Sequence, residues 1–256
     1  MADHSAMKLG RKPTRHDPRT LQLRAYAPDP LPPQPLIVDY GEGVSAWGMM
    51  LNDQLGDCTC AAVCHAIQDW TMNDAINHPG MVTPADADVL GLYERWCGYN
   101  PADPSTDQGG VELDILNRWR QEGAAGHKIV AFAEVDKSNY EHMKYAVSTF
   151  GGAYIGLSLP VSAQNQDVWD VVAPDGGPWG GHAVYVVGYD DSDPTEPTLS
   201  LVTWGQVKKM TLRFWLAYGA EAYAVLGEDF LGAISRGPDG LDVAGLQRDL
   251  ALITAA

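Results

Sequence analysis

Apolar positions along the chain change their period near the middle. Before about residue 150 they recur every three to four residues, the spacing of one helix face; after it they alternate or run together, as in strands. From 58 to about 73 the pattern is helical. Cys60, Val63, Cys64, Ile67 and Trp70 form an apolar face, and Ala62, His65, Ala66 and Asp69 lie on the other side. Thr83-Pro84 predicts a second helix, an N-cap followed by proline in the first turn, running to about Cys97 with Leu90, Tyr93 and Cys97 as its stripe. Residues 100–108, with Pro101, Pro104, Ser105 and Asp107, read as a loop. Val111, Ile115, Leu116 and Trp119 mark a third helix stopped by Gly123. A fourth, capped by Asp136 or Ser138, carries Tyr140, Met143 and Val147.

The second half reads as strands over 153–159, 182–189, 198–204, 207–212 and 221–226. Turn chemistry separates them, as at Asp175-Gly176-Gly177-Pro178 and Asp190-Asp191-Ser192-Asp193-Pro194. A further short strand, 37–40, precedes the first helix. A helical half followed by an antiparallel sheet predicts an α+β fold with a cleft between the layers. Residues 1–36 are extended, basic and proline-rich, ending in Pro30-Leu31-Pro32-Pro33-Gln34-Pro35, a density that no helix survives. The expected organisation is a strap over 1–36 and a domain over 37–228. Its helical half covers about 37–150 and its sheet half about 151–228, and a tail over 229–256 packs on the domain.

With 45% hydrophobic and 20% charged residues, the 256-residue chain buries a substantial core. Its net charge of −16 argues against nucleic-acid binding, which phosphate neutralisation drives. That charge is uneven. Residues 1–35 hold Lys8, Arg11, Lys12, Arg15, Arg19 and Arg24 against Asp3, Asp17 and Asp29, a net of +3 that leaves −19 for the rest. A basic arm on an acidic body points to self-contact or a protein partner, with a solvated tail as the alternative. No signal peptide or stretch of transmembrane length is evident, so no membrane partner is expected. Four cysteines, three of them crowded at Cys58, Cys60 and Cys64, do not make a disulfide framework; a bridge from Cys60 or Cys64 to Cys97 stays open. Reduced thiols in a cytoplasm are the expectation.

Two segments carry candidate chemistry. Gly56-Asp57-Cys58-Thr59 places a thiol in the first turn of a helix, where unpaired N–H groups favour a thiolate. Gly180-Gly181-His182-Ala183-Val184 places an imidazole at the mouth of a buried strand. Cysteine beside a general base is the minimal apparatus of a thiol nucleophile. Cys58, Cys60 and Cys64 lack zinc-site spacing, and neither a phosphate loop nor a dinucleotide fingerprint is present, so no metal or cofactor is expected.

These segments resemble the papain-like cysteine peptidases. Gly56-Asp57-Cys58-Thr59 is similar to the family's Gly-Ser-Cys-Trp turn, and Gly181-His182-Ala183-Val184 with Val187-Gly188-Tyr189 to its His-Ala-Val…Val-Gly-Tyr strand. Thr203-Trp204-Gly205 resembles the tail of Asn-Ser-Trp-Gly, and Glu221-Ala222-Tyr223-Ala224-Val225 the closing strand. Gly109-Gly110 resembles the paired glycines that line the substrate cleft. The likeness covers about 37–228 in order and implies a papain-like α+β fold. It also implies hydrolysis of peptide or other amide bonds in a protein or peptide substrate through Cys58 and His182.

Gly109, Gly110, Gly181 and Trp204 would border the substrate, with Trp169 or Trp179 in the same cleft unless they are core. Two departures stand out. Asn52 occupies the place of the oxyanion glutamine, with Gln54 two residues on, so either amide is a candidate donor. Val202 occupies the place of the asparagine that orients the imidazole, leaving Thr203 as the substitute if the register shifts. A Cys58/His182 dyad remains chemically sufficient. The competing expectation is an inert papain-like scaffold kept for binding or assembly.

Overall fold

The computed structural model describes residues 3–73, 80–228 and 241–254. A short strand, β1 (Ile37–Asp39), precedes helices α1 (Cys58–Asn73), α2 (Asp86–Cys97) and α3 (Glu112–Glu122). Then come β2 (Ile129–Glu134), α4 (Tyr140–Phe150), β3 (Ala153–Pro160), β4 (Val168–Trp169), β5 (Pro178–Asp190), β6 (Thr198–Thr203) and β7 (Gln206–Thr211). Helix α5 (Leu212–Tyr218), strand β8 (Gly219–Gly227) and helix α6 (Val243–Thr254) complete the described chain. Helices precede a largely antiparallel eight-stranded sheet ordered β2-β8-β3-β5-β6-β7-β4, with β1 paired to β5 and a parallel contact between β4 and β7. This is the papain-like α+β arrangement.

Helix α1 is the axle of the molecule. The sequence pattern suggests a polar side, yet every residue from Cys58 to Thr71 is buried. It lies between β5 and helices α2 and α3, so no face meets water. Several of its polar groups are partnered, although Thr59 Oγ1, Asp69 Oδ2 and Trp70 Nε1 have no hydrogen-bond partner among the described residues. His65 Nε2 meets the Gly48 carbonyl at 2.9 Å, Gln68 Nε2 donates to Thr83 Oγ1 at 3.1 Å, and Asp69 Oδ1 accepts from Asn73 at 3.2 Å. On its apolar side Trp70 stacks on Trp119, ring centres 5.2 Å apart, and meets Tyr185 of β5 edge-on at 6.1 Å.

Local signals explain most boundaries. Gly98 and Gly123 end α2 and α3 with φ of 77° and 79°, values that favour glycine. Helix α2 starts at Asp86 rather than at Thr83-Pro84, because Asp88 Oδ2 accepts the Ala85 N–H at 2.9 Å and closes the first turn there. Asn139, not Asp136 or Ser138, caps α4, its side chain accepting the His142 N–H; Asp136 is spent on Ser138. Residue 212, read as strand, begins α5 because Thr211 Oγ1 caps Phe214. Strand β2, inside the stretch read as helical, forms the sheet edge against β8.

Within residues 3–36 the chain makes contacts along the body. Beyond His4 and Arg11, discussed below, the Glu134 N–H donates to Leu21 O, Asp191 N–H to Leu36 O, and Tyr189 Oη to Pro35 O at 2.9 Å. Of the tail, 229–240 and 255–256 lie outside the described residues; α6 packs on β2, and Asp249 accepts a hydrogen bond from Tyr26 at 2.9 Å. All four cysteines are free thiols, Cys60 and Cys97 within hydrogen-bonding reach of each other. No described helix is long and apolar enough to cross a membrane.

Candidate active site

Cys58 opens α1 and packs against β5, which starts at Pro178 rather than at His182; the N–H of Ala183, next to His182, donates to its sulfur at 3.4 Å. A second N–H reaches the sulfur from the strap, from Gly10. The thiol is 1% exposed. Burial pushes it up to about 12, and the two N–H donors pull only partly the other way. Position at a helix N-terminus suggests a low thiol, but with the strap in place desolvation outweighs the helix dipole.

His182 is completely buried, and its imidazole is pushed the opposite way, down to about 3, first by desolvation and then by His65. Its Nε2 lies 2.7 Å from Thr203 Oγ1. Strand register explains why threonine holds this place. Tyr185 pairs with Val202 across β5 and β6, so those two share one face. One residue on, Thr203 shares the opposite face with Val184 and His182. Trp204, with φ of 48°, then turns back and stacks on the imidazole at 4.7 Å and 22°. His182 Nδ1 is buried with no hydrogen-bond partner among the described residues. A neutral imidazole whose Nε2–H donates to Thr203 keeps its basic lone pair on Nδ1.

Of the two candidate amides, Asn52 is 2% exposed, and its Nδ2 donates to Asp57 Oδ1 at 3.1 Å and to Leu55 O at 3.2 Å. Gln54 is exposed. The loop is held by Met50 and Leu51, both in the left-handed region at 57° and 63°. Asp57 is fully buried, and desolvation raises its carboxyl well above the usual range. Trp169 is fully buried against Phe214, as core, while Trp179 is partly buried and lies 5.8 Å from Trp204.

The three glycines expected to border a substrate all touch the strap. Gly110 donates its N–H to Gly10 O and accepts from Lys12 N–H, both at 2.8 Å; Gly181 O accepts from Arg11 N–H at 3.0 Å. A Cβ at Gly109 would fall 1.8 Å from Gly10 O, and one at Gly10 only 1.6 Å from Gly56 O. At the strap's start, His4 stacks on the Trp204 ring at 4.9 Å, and Lys8 N–H donates to Asn52 O.

Sequence reading misses the residues this contact depends on. The Arg11 side chain, 4% exposed, enters the body: Nε meets Glu112 Oε2 and Nη2 meets Glu221 Oε1, each at 3.1 Å. Arg11 is one of six basic residues in the arm, and its partners lie 101 and 210 positions away. Among the described residues no group of three or more His, Cys, Asp or Glu side chains is placed to hold a metal ion.

No protein-family model matches the chain, nor does any curated protein sequence. Solved structures do. Xylellain, a cysteine protease from Xylella fastidiosa, is similar at 15% identity and a TM-score of 0.68, over 88% of this chain and 98% of that one. Procathepsin B S9 from Trypanosoma congolense matches at 13% identity and 0.59 over 88% of each chain. Bromelain from Ananas comosus in complex with the E64 inhibitor matches at 14% and 0.54, over 75% of this chain and 99% of that one. The fold is papain-like, a fold that the similar structures put to use as proteases.

Proposed function

We propose that the chain is a thiol hydrolase of peptide or other amide bonds, working through Cys58 and His182 and held latent by its own residues 4–12. Cys58 Sγ attacks the carbonyl carbon, and its proton passes to His182 Nδ1. His182 returns that proton to the leaving amine, and water then releases the acyl group from sulfur. Thr203 orients the imidazole, and Trp204 keeps water from that hydrogen bond. The Cys58 N–H, with Asn52 once its amide is freed, faces the developing oxyanion.

The observation that carries this reading is the state of the pair beneath the strap. A thiol raised to about 12, in contact with the backbone just after an imidazole lowered to about 3, leaves both groups neutral and at rest. Desolvation is the main cause of both shifts, and lifting Gly10 from the sulfur lets water in and removes it. The helix N-terminus then favours thiolate, as the bare sequence suggests. The T. congolense neighbour is by name a proform, which accords with an N-terminal segment lying across a cleft.

An epoxide peptide probe tests the reading: it should label Cys58 slowly in the native chain, faster once the strap is loosened, and not at all in Cys58→Ala. Labelling that ignores Cys58→Ala would overturn it. One observation favours the inert-scaffold reading, the near-complete burial of Cys58. That reading requires a thiol that stays silent after the strap is displaced.

A further inference from the structure

The Arg11 site is built more like a side-chain pocket than a surface latch. Glu112 and Glu221 are 0% and 1% exposed, and a Cβ on Gly156 beneath them would fall 2.2 Å from both Arg11 Nε and Glu112 Oε2. Glycine there makes room for a planar guanidinium. The pocket is polar-lined and almost fully partnered. Tyr223 donates to Glu221 Oε2 at 2.8 Å, and Thr14 donates to Glu221 Oε1 at 2.9 Å while accepting from Arg11 Nη2 at 2.7 Å.

Charge balance within it is informative. Burial and the neighbouring Glu221 raise the Glu112 carboxyl well above its usual range, while Arg11 pulls it the other way. Glu112 Oε1 is buried and has no hydrogen-bond partner among the described residues. Two buried carboxyl groups thus face one guanidinium, each at 3.1 Å. Beside them a surface cavity of about 360 Å³, lined by Arg11, Pro13, Thr14, Ser158, Gly181 and Ala220, gives the site an open mouth.

Two of those lining groups, Arg11 and Gly181, tie the pocket to the cleft. The Gly181 carbonyl that receives the Arg11 N–H belongs to the residue before His182. A chain held at Gly110 and Gly181 therefore presents one side chain to Glu112 and Glu221.

We propose that Glu112 and Glu221 form the selectivity pocket of this cleft, which takes the guanidinium of an arginine in a polypeptide substrate once the strap's Arg11 withdraws. This rests on the hydrolase reading above. Arg11 is the occupant of the closed form, and a substrate arginine replaces it with the same two contacts. Lysine, with a single point charge, cannot span both carboxyls and binds less well.

The test has one arm independent of hydrolysis. Full-length Arg11→Ala, which vacates the pocket, is titrated with N-ethylguanidine by thermal shift, with ethylamine as comparison. A saturable shift for the guanidine, absent in Arg11→Ala/Glu221→Gln, is expected; no shift, or an equal one for both ligands, overturns the pocket. If Arg11→Ala does not fold, Glu221→Gln in the otherwise native chain replaces it. That variant should raise the rate of Cys58 alkylation at least tenfold, and an unchanged rate overturns the proposal.

In the second arm a peptide library is digested with the strap-loosened chain Gly10→Ala. Cleavage should favour arginine at one fixed position, and adding Glu221→Gln should lower that preference at least tenfold. Cleavage without guanidine binding or arginine preference refutes the pocket and leaves the hydrolase. Guanidine binding without cleavage leaves the pocket and refutes the hydrolase.

Discussion

Gly10→Ala is a one-carbon perturbation that separates latency from incapacity. The added Cβ would lie 1.6 Å from Gly56 O and 2.2 Å from Gly56 C, both backbone atoms at the mouth of α1 that no rotamer change can move aside. The strap must lift there. Lifting breaks Gly110 N–H to Gly10 O, Lys12 N–H to Gly110 O and Arg11 N–H to Gly181 O. At about 1 kcal/mol each these bonds sum to about 3 kcal/mol, on the order of a 100-fold rise in the open population. In the closed state a thiol at about 12 is thiolate only about once in 30,000 molecules at pH 7.5, so nearly all alkylation passes through the open form. Iodoacetamide labelling of Cys58, followed by peptide mass spectrometry under pseudo-first-order conditions, should therefore accelerate about 100-fold in Gly10→Ala. Near-UV circular dichroism should show an unchanged body. A folded Gly10→Ala whose Cys58 labels within twofold of the native rate would refute the reasoning.

Other predictions concern the body. Thr203→Val removes the acceptor at Nε2 and, at about 1 kcal/mol for one hydrogen bond, should lower kcat of the strap-loosened enzyme about five- to tenfold with little change in KM; Thr203→Asn should restore most of it. His65, buried and lowered to about 4, takes up its proton in the unfolded chain first, so its contribution to stability is present above about pH 6.5 and lost as pH falls toward 4. His65→Gln should remove about 3 kcal/mol of that acid sensitivity, read as the native-minus-variant difference in urea unfolding energies at pH 7 and pH 4; a difference independent of pH contradicts the assignment. Trp70→Ala deletes the ring stacked on Trp119 and should cost about 3–5 kcal/mol by thermal or urea melts.

How much of this the sequence discloses varies by residue. Cys58 and His182 stand out because Cys58 heads α1 and His182 opens the buried run of β5, and the apolar period of both stretches is unmistakable. The order of the flanking motifs then carries the fold. Thr203 is only half legible. A motif comparison places Val202 in the orienting position, and strand parity alone, through the pairing of Tyr185 with Val202, turns Thr203 to the imidazole. Strand β2 is obscured because Ile129-Val130-Ala131-Phe132 is a short apolar run between helices, a pattern shared by both element types. The strap is visible as proline and positive charge. Its seat is not, because Gly10 and Arg11 find Gly56, Gly110, Gly181, Glu112 and Glu221 only through folding. The low thiol expected at a helix N-terminus is not found here, because burial of Cys58 raises it instead.

The most direct test of the central claim is hydrolysis itself. Full-length Gly10→Ala and Gly10→Ala/Cys58→Ala are incubated with a proteome-derived peptide library, and new termini are counted by mass spectrometry. A latent thiol hydrolase yields cleavage with the first chain and none with the second. A Cys58 that alkylates freely in Gly10→Ala while no peptide is cut would contradict it and leave the papain-like body as a scaffold.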